Sequence, residues 1–121
     1  MRIRRLSQCS LITAGDETRL RELLHPGRRY PFGGRYSLAH ATVSPGQATR
    51  PHRLATDEVY YILNGTGEMH VDDEFAPVRA GDAVEIPPES VQWIANTGDR
   101  DLEFLCIVDP AWRAEDEEIL K

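Results

Sequence analysis

Glycine or proline interrupts this chain about every ten residues, and no window much longer than that keeps a helical period. Nine glycines and eight prolines in 121 residues leave room for short strands but not for helices of ordinary length. The stretches between the breakers alternate in polarity or are rich in β-branched and aromatic residues, which suit a half-buried pleated surface. The pattern predicts strands over 19–24, 36–43, 58–63, 67–71, 83–86, 91–96 and 102–108. Segment 17–24 also has helical propensity, but Leu20, Glu22 and Leu24 repeat every second residue and fit an edge strand. Asp72 and Asp73 sit between two apolar runs as a hairpin turn would. Many short strands at this spacing predict an all-β sandwich or barrel. The acidic tail, 111–121, predicts a short terminal helix, with Trp112 packing it against the barrel. No repeat, linker or low-complexity tract is visible, so one domain over 1–121 is expected.

Charge and cysteine usage narrow the function classes. The formal net charge is −6, which argues against a general nucleic-acid binder, since that needs a basic face to displace counterions. Arg2, Arg4, Arg5, Arg28 and Arg29 form the local basic positions and read as a solvated face. Cys9 and Cys106 are far apart and form no CxxC pair, so neither a disulfide framework nor a zinc-thiolate site is expected. No run approaches the ~20 apolar residues of a membrane span. The N-terminal segment is charged and lacks the apolar stretch of a signal peptide, so a cytoplasmic location is expected.

Two segments carry the chemistry. The first contains Gly46, His52, Leu54, Glu58 and Gly65; the second contains Gly81, Pro87, Glu89, Gln92 and Asn96. In order and spacing they resemble the two conserved motifs of the cupin superfamily, at 46–65 and 81–96. The resemblance implies a small single-domain cupin: a β-barrel of jelly-roll type with an inward-facing pocket. In metal-binding cupins three histidines and a glutamate of these motifs hold one ion. Here Leu54 stands for the second histidine, Gln92 for the third, and Glu89 for the glycine of the second motif. The resemblance therefore implies a depleted metal set of His52, Glu58 and Gln92. Such a mixed nitrogen and oxygen set suits Mn, Fe, Ni or Zn, held weakly or not at all.

Strand periodicity agrees with that placement. His52 and Leu54 share one face, Glu58, Tyr60 and Ile62 another, and Gln92 and Ile94 a third, so these side chains can converge inside a barrel. His40, Leu54, Tyr60 and Trp93 are the expected pocket walls. Glu58 and Tyr60 are the expected catalytic residues, the first as base or ligand and the second orienting substrate. His25 reads as a loop histidine, His70 as exposed and Cys106 as a buried small hydrophobe. A buried Glu58 without a metal needs a partner, which His52 could be.

Two functions compete, with a storage role unsupported by composition. One is a metal-dependent enzyme of isomerase, dioxygenase, decarboxylase or lyase type, acting on a small sugar- or carboxylate-like molecule. The other is a metal-free, non-catalytic module that binds a small ligand. The resemblance suggests a homodimer, with 19–24 pairing to a neighbour's sheet edge.

Overall fold

The computed structural model describes residues 1–14, 16, 18–28 and 32–120. Its strands are β1 (Leu11–Thr13), β2 (Arg19–Leu24), β3 (Ser37–Val43), β4 (His52–Leu54), β5 (Asp57–Asn64) and β6 (Thr66–Val71). They continue with β7 (Glu74–Arg79), β8 (Ala83–Ile86), β9 (Gln92–Asn96), β10 (Leu102–Asp109) and β11 (Glu117–Ile119). One sheet runs β1-β2-β3-β10-β5-β8 and the other β11-β4-β9-β6-β7. From β3 to β10 the chain passes back and forth between the sheets, as a jelly roll does.

Alternation fills the space between the sheets. Ile62, Phe104, Ile94 and Leu102 face inward with essentially no exposed surface, and the Tyr60 ring tilts against Phe104 at 4.5 Å. Register shows how polarity changes along the barrel. Ile62 lies opposite Phe104, Tyr60 opposite Cys106, and Glu58 opposite Val108. On the facing sheet Met69 pairs with Ile94, and His52 pairs with Gln92. The barrel is thus apolar at one end, and it carries His52, Glu58 and Gln92 towards the other.

The turns fit their residues. Asp72 closes the β6–β7 hairpin at φ 53°, a left-handed conformation that Asp tolerates. Gly65 joins β5 to β6 at φ +88°, and a Cβ there would lie 2.8 Å from the Asp101 carbonyl oxygen, so only glycine fits.

The seven expected strands are all present, each within a residue of its expected limits. Three expectations change. The tail forms no regular helix: a 3-10 turn at Ala114–Asp116 leads into β11, which pairs with β4. Four successive acids from Glu115 to Glu118 repel one another on a helix, whereas β4 offers an open edge and Arg53 bonds Glu118 at 3.1 Å. Strand β2 is no edge, being bonded to β1 on one side and β3 on the other. It therefore has no free edge for a neighbouring molecule, and the outer position belongs to β1. Strands β1, β4 and β11 are too short to show a period, and β7 was hidden by Pro77, which an edge strand accommodates. Arg29, Glu17 and Lys121 lie outside the described residues.

Candidate functional site

Between the sheets, at the polar end, lies a cavity of about 290 Å³. His52, from β4, is buried in its wall. The Arg50 carbonyl accepts from Nδ1 at 2.8 Å, so Nδ1 carries a proton and Nε2 is the nitrogen turned inward. Nε2 lies 3.6 Å from Asp16 Oδ2. Asp16 is held in turn by the Thr18 N–H, which donates to Oδ1 at 3.0 Å, and by the Arg50 N–H on its carbonyl at 2.8 Å. The turn between β1 and β2 is thereby fastened to the chain just before β4.

Glu58, the second residue of β5, is buried beside the cavity. The Gln92 side-chain amide reaches across from the other sheet and donates to its Oε1 at 2.7 Å. Burial pushes the Glu58 carboxyl up to about 8; the Gln92 hydrogen bond opposes this, and the nearby Asp16 and Glu117 charges add to it. Glu58 is therefore largely protonated at neutral pH. Gln92 has no exposed surface, and its Oε1 finds no partner. Tyr60 and Cys106 also line the cavity, and burial raises both well above their ordinary ranges, so phenol and thiol stay neutral. Leu54 contributes an apolar wall.

The tail and the N-terminal strands close the space. Trp112 donates its indole N–H to Glu117 at 3.3 Å, and its backbone N–H donates to Ser37 Oγ at 3.0 Å. Half-burial raises the Glu117 carboxyl; the indole and then His52 pull it back, while Asp16 pushes it up. Arg28 bonds Glu22 at 2.9 Å, and its guanidinium stands 5.7 Å from the Trp112 ring centre. His25 is structural: its Nε2 donates to the Trp112 carbonyl at 2.8 Å, and its Nδ1 accepts from Gly27.

Of the residues expected from sequence, His52, Leu54, Glu58 and Tyr60 line this cavity, and Gln92 reaches it through Glu58. His40 and Trp93 do not. Ala39 and Ala41 hold the inward positions of β3, so His40 points outward and meets Glu103 at 3.2 Å. Gln92 and Ile94 hold the inward positions of β9, so Trp93 faces out and stacks on His70 at 3.5 Å. His70, expected to be exposed, is largely covered, stacked between Trp93 and Phe75, and bonds Glu68 at 2.7 Å. Asp16, Glu22, Arg28, Trp112 and Glu117 were not foreseen as site residues. Asp16 and Thr18 have the spacing of an Asx turn, which signals local structure only. Glu117 reaches the site because it pairs with Leu54, a long-range contact.

The residues of this wall do not fit a metal centre. Ligating groups must be deprotonated and convergent. The Gln92 amide is turned N–H first onto Glu58, and Leu54 has no donor atom. Among the described residues no three His, Cys, Asp or Glu side chains gather closely enough to hold an ion. A second hollow, of about 670 Å³ between β7 and β8, is open to solvent and gathers no imidazole, thiol or buried carboxylate. No helix among the described residues is long and apolar enough to cross a membrane.

Comparison with known proteins agrees with this architecture. A family model described as Cupin domain matches residues 39–108. An uncharacterised protein of Methanocaldococcus jannaschii is 42% identical over 88% of this chain and 84% of its own length. An oxalate-binding protein of Thermotoga maritima is 35% identical over 59% of this chain and 60% of its own. The crystal structure of a predicted oxalate decarboxylase from Thermotoga maritima superposes with a TM-score of 0.78 at 26% identity, covering 90% of this chain and 99% of that one.

Proposed function

The chain belongs to the cupin family, and from that premise we propose that it binds a small molecule inside the barrel without a metal, with Glu58 as the group that gives or takes a proton. One observation carries this reading. A buried carboxyl with a pKa near 8 stands in the wall of a 290 Å³ cavity, held in place by Gln92. An acid that titrates near the working pH suits proton transfer, because both of its forms are populated there. Gln92 orients Glu58, Tyr60 and Leu54 shape the wall around it, and His52 places Nε2 on the same space. Such a site supports isomerase- or lyase-type proton shuffling on a bound ligand.

Elemental mass spectrometry of the purified protein tests the metal-free part of the reading. The expected result is well below one equivalent of Mn, Fe, Ni or Zn, with no uptake when each is offered. Near-stoichiometric metal that is lost in both His52→Ala and Glu58→Ala would overturn it and restore the metal-dependent alternative. A thermal-shift screen of small polar compounds tests the binding part. Stabilisation that disappears in Leu54→Trp, which fills the cavity, is the supporting outcome.

A further inference from the structure

The charged groups around the cavity are unevenly matched. Arg28 is the one guanidinium or ammonium among the described lining residues, and it is already bonded to Glu22 at 2.9 Å. What remain, apart from the protonated Glu58, are the carboxyls of Asp16 and Glu117. Asp16 turns Oδ2 inward, and Glu117 receives only the Trp112 indole at 3.3 Å. His52 gives its Nδ1–H to the Arg50 carbonyl at 2.8 Å, and its Nε2 lies 3.6 Å from Asp16 Oδ2, too far for a good hydrogen bond. A separate observation points the same way. Gln92 is wholly buried and faces the barrel interior, and its Oε1 has no donor. Its Nε2 lies 2.7 Å from Glu58, and amide geometry then keeps Oε1 within about 5 Å of that carboxyl. Hydroxyls can serve as donor or acceptor, so they do not alter this imbalance.

We infer that the cavity selects a small ligand bearing a cationic hydrogen-bond donor, a primary ammonium or an amidinium, and turns away small dicarboxylates. The inference rests on the reading of the barrel as a small-molecule binder and names the class of molecule. An ammonium brings three N–H donors and no acceptor, which complements the Asp16 and Glu117 carboxyls that line the cavity. The rest of the ligand would lie against Leu20, Leu54, Phe104 and Val108, which line the same space. A dicarboxylate such as oxalate would instead set two negative charges beside Asp16 and Glu117, with Arg28 already engaged. In this respect the pocket differs from what the name of the Thermotoga relative describes.

The test is a matched set of probes, n-butylammonium, n-butanol, n-butyrate and oxalate, titrated at pH 7 and fixed ionic strength. Binding is followed by two-dimensional amide NMR. The expected result is n-butylammonium binding at least about tenfold more tightly than n-butanol, the ratio given by one charge-assisted hydrogen bond. Its shifts would centre on Asp16, His52 and Glu117, with n-butyrate and oxalate inert. Asp16→Asn and Glu117→Gln would each bring the ammonium towards the alcohol without weakening the alcohol. Glu117 is only half-buried, so its variant serves if Asp16→Asn fails to fold. Butyrate or oxalate binding as tightly as the ammonium, or an ammonium preference unmoved by the variants, would overturn the inference and leave the binding barrel standing. Silence of the cavity resonances to all four probes would overturn both.

Discussion

Glu58 shows how strongly surroundings can alter one residue. Its carboxyl is raised from an ordinary 4.5 to about 8 in the folded chain. Between those values the folded state holds a proton that the unfolded state has released, so stability falls as pH rises from about 4.5 and levels off above about 8. The change is at most about 1.4 kcal/mol per pH unit, and on the order of a few kcal/mol in all. In Glu58→Gln that decline should disappear, so the variant's melting temperature gains on the parent's between pH 5 and pH 8. Parallel curves would show that Glu58 titrates normally. Glu89 is the second informative residue. It occupies the place of a motif glycine and adopts φ 68°, exposed, with its N–H on the Leu54 carbonyl at 2.7 Å. A left-handed backbone costs a residue with a Cβ roughly 1–2 kcal/mol, partly offset by the greater unfolded freedom of glycine. Glu89→Gly should therefore stabilise the fold by about 0.5–1 kcal/mol in urea denaturation; a loss would show that the Glu89 side chain matters more than its backbone strain.

At the scale of elements, the phase of a strand decides what its residues can do. Trp93 on β9 faces outward and stacks on His70, whereas Trp112, in the segment between β10 and β11, lines the cavity. A ligand that enters the barrel should therefore change the emission of Trp112 alone. The response should survive Trp93→Phe and vanish in Trp112→Phe; the reverse pattern would place the binding site on the outer face. Strand β11 adds to this end of the barrel. It brings Glu117 to the cavity through its pairing with Leu54 and covers the edge of β4 that would otherwise be open.

For the whole molecule, the apolar end carries the packed core and the polar end carries the buried ionisable groups. Phe104 has no exposed surface, lies opposite both Ala41 and Ile62, and packs on Tyr60. Phe104→Ala should cost about 3–5 kcal/mol, a large share of the ~5–15 kcal/mol that holds a domain folded. Phe75 is 67% exposed, and its removal should change stability by no more than about 0.5 kcal/mol. Urea midpoints of the two variants give the comparison, and equal losses would contradict this division of the barrel.

The sequence by itself determined the strand positions from 19–24 to 102–108, the Asp72–Asp73 hairpin and the inward placing of His52, Glu58 and Gln92. Alternation and turn chemistry are local, so they can be read along one segment at a time. The outward facing of Trp93 was legible too, because it follows from setting Gln92 and Ile94 on the same inner face. His40 could be placed only once Ala39 and Ala41 were known to face the core. Tertiary structure alone decided that an acidic tail becomes a strand on the edge of β4, and that β1 lies outside β2. It also decided that Asp16 and Glu117, about a hundred residues apart in sequence, share a cavity with His52. Such contacts depend on which edges remain open after the longer strands have paired, and no periodicity records that. The carboxylates that set the character of the pocket arrive by this route, so its charge is a property of the closed barrel.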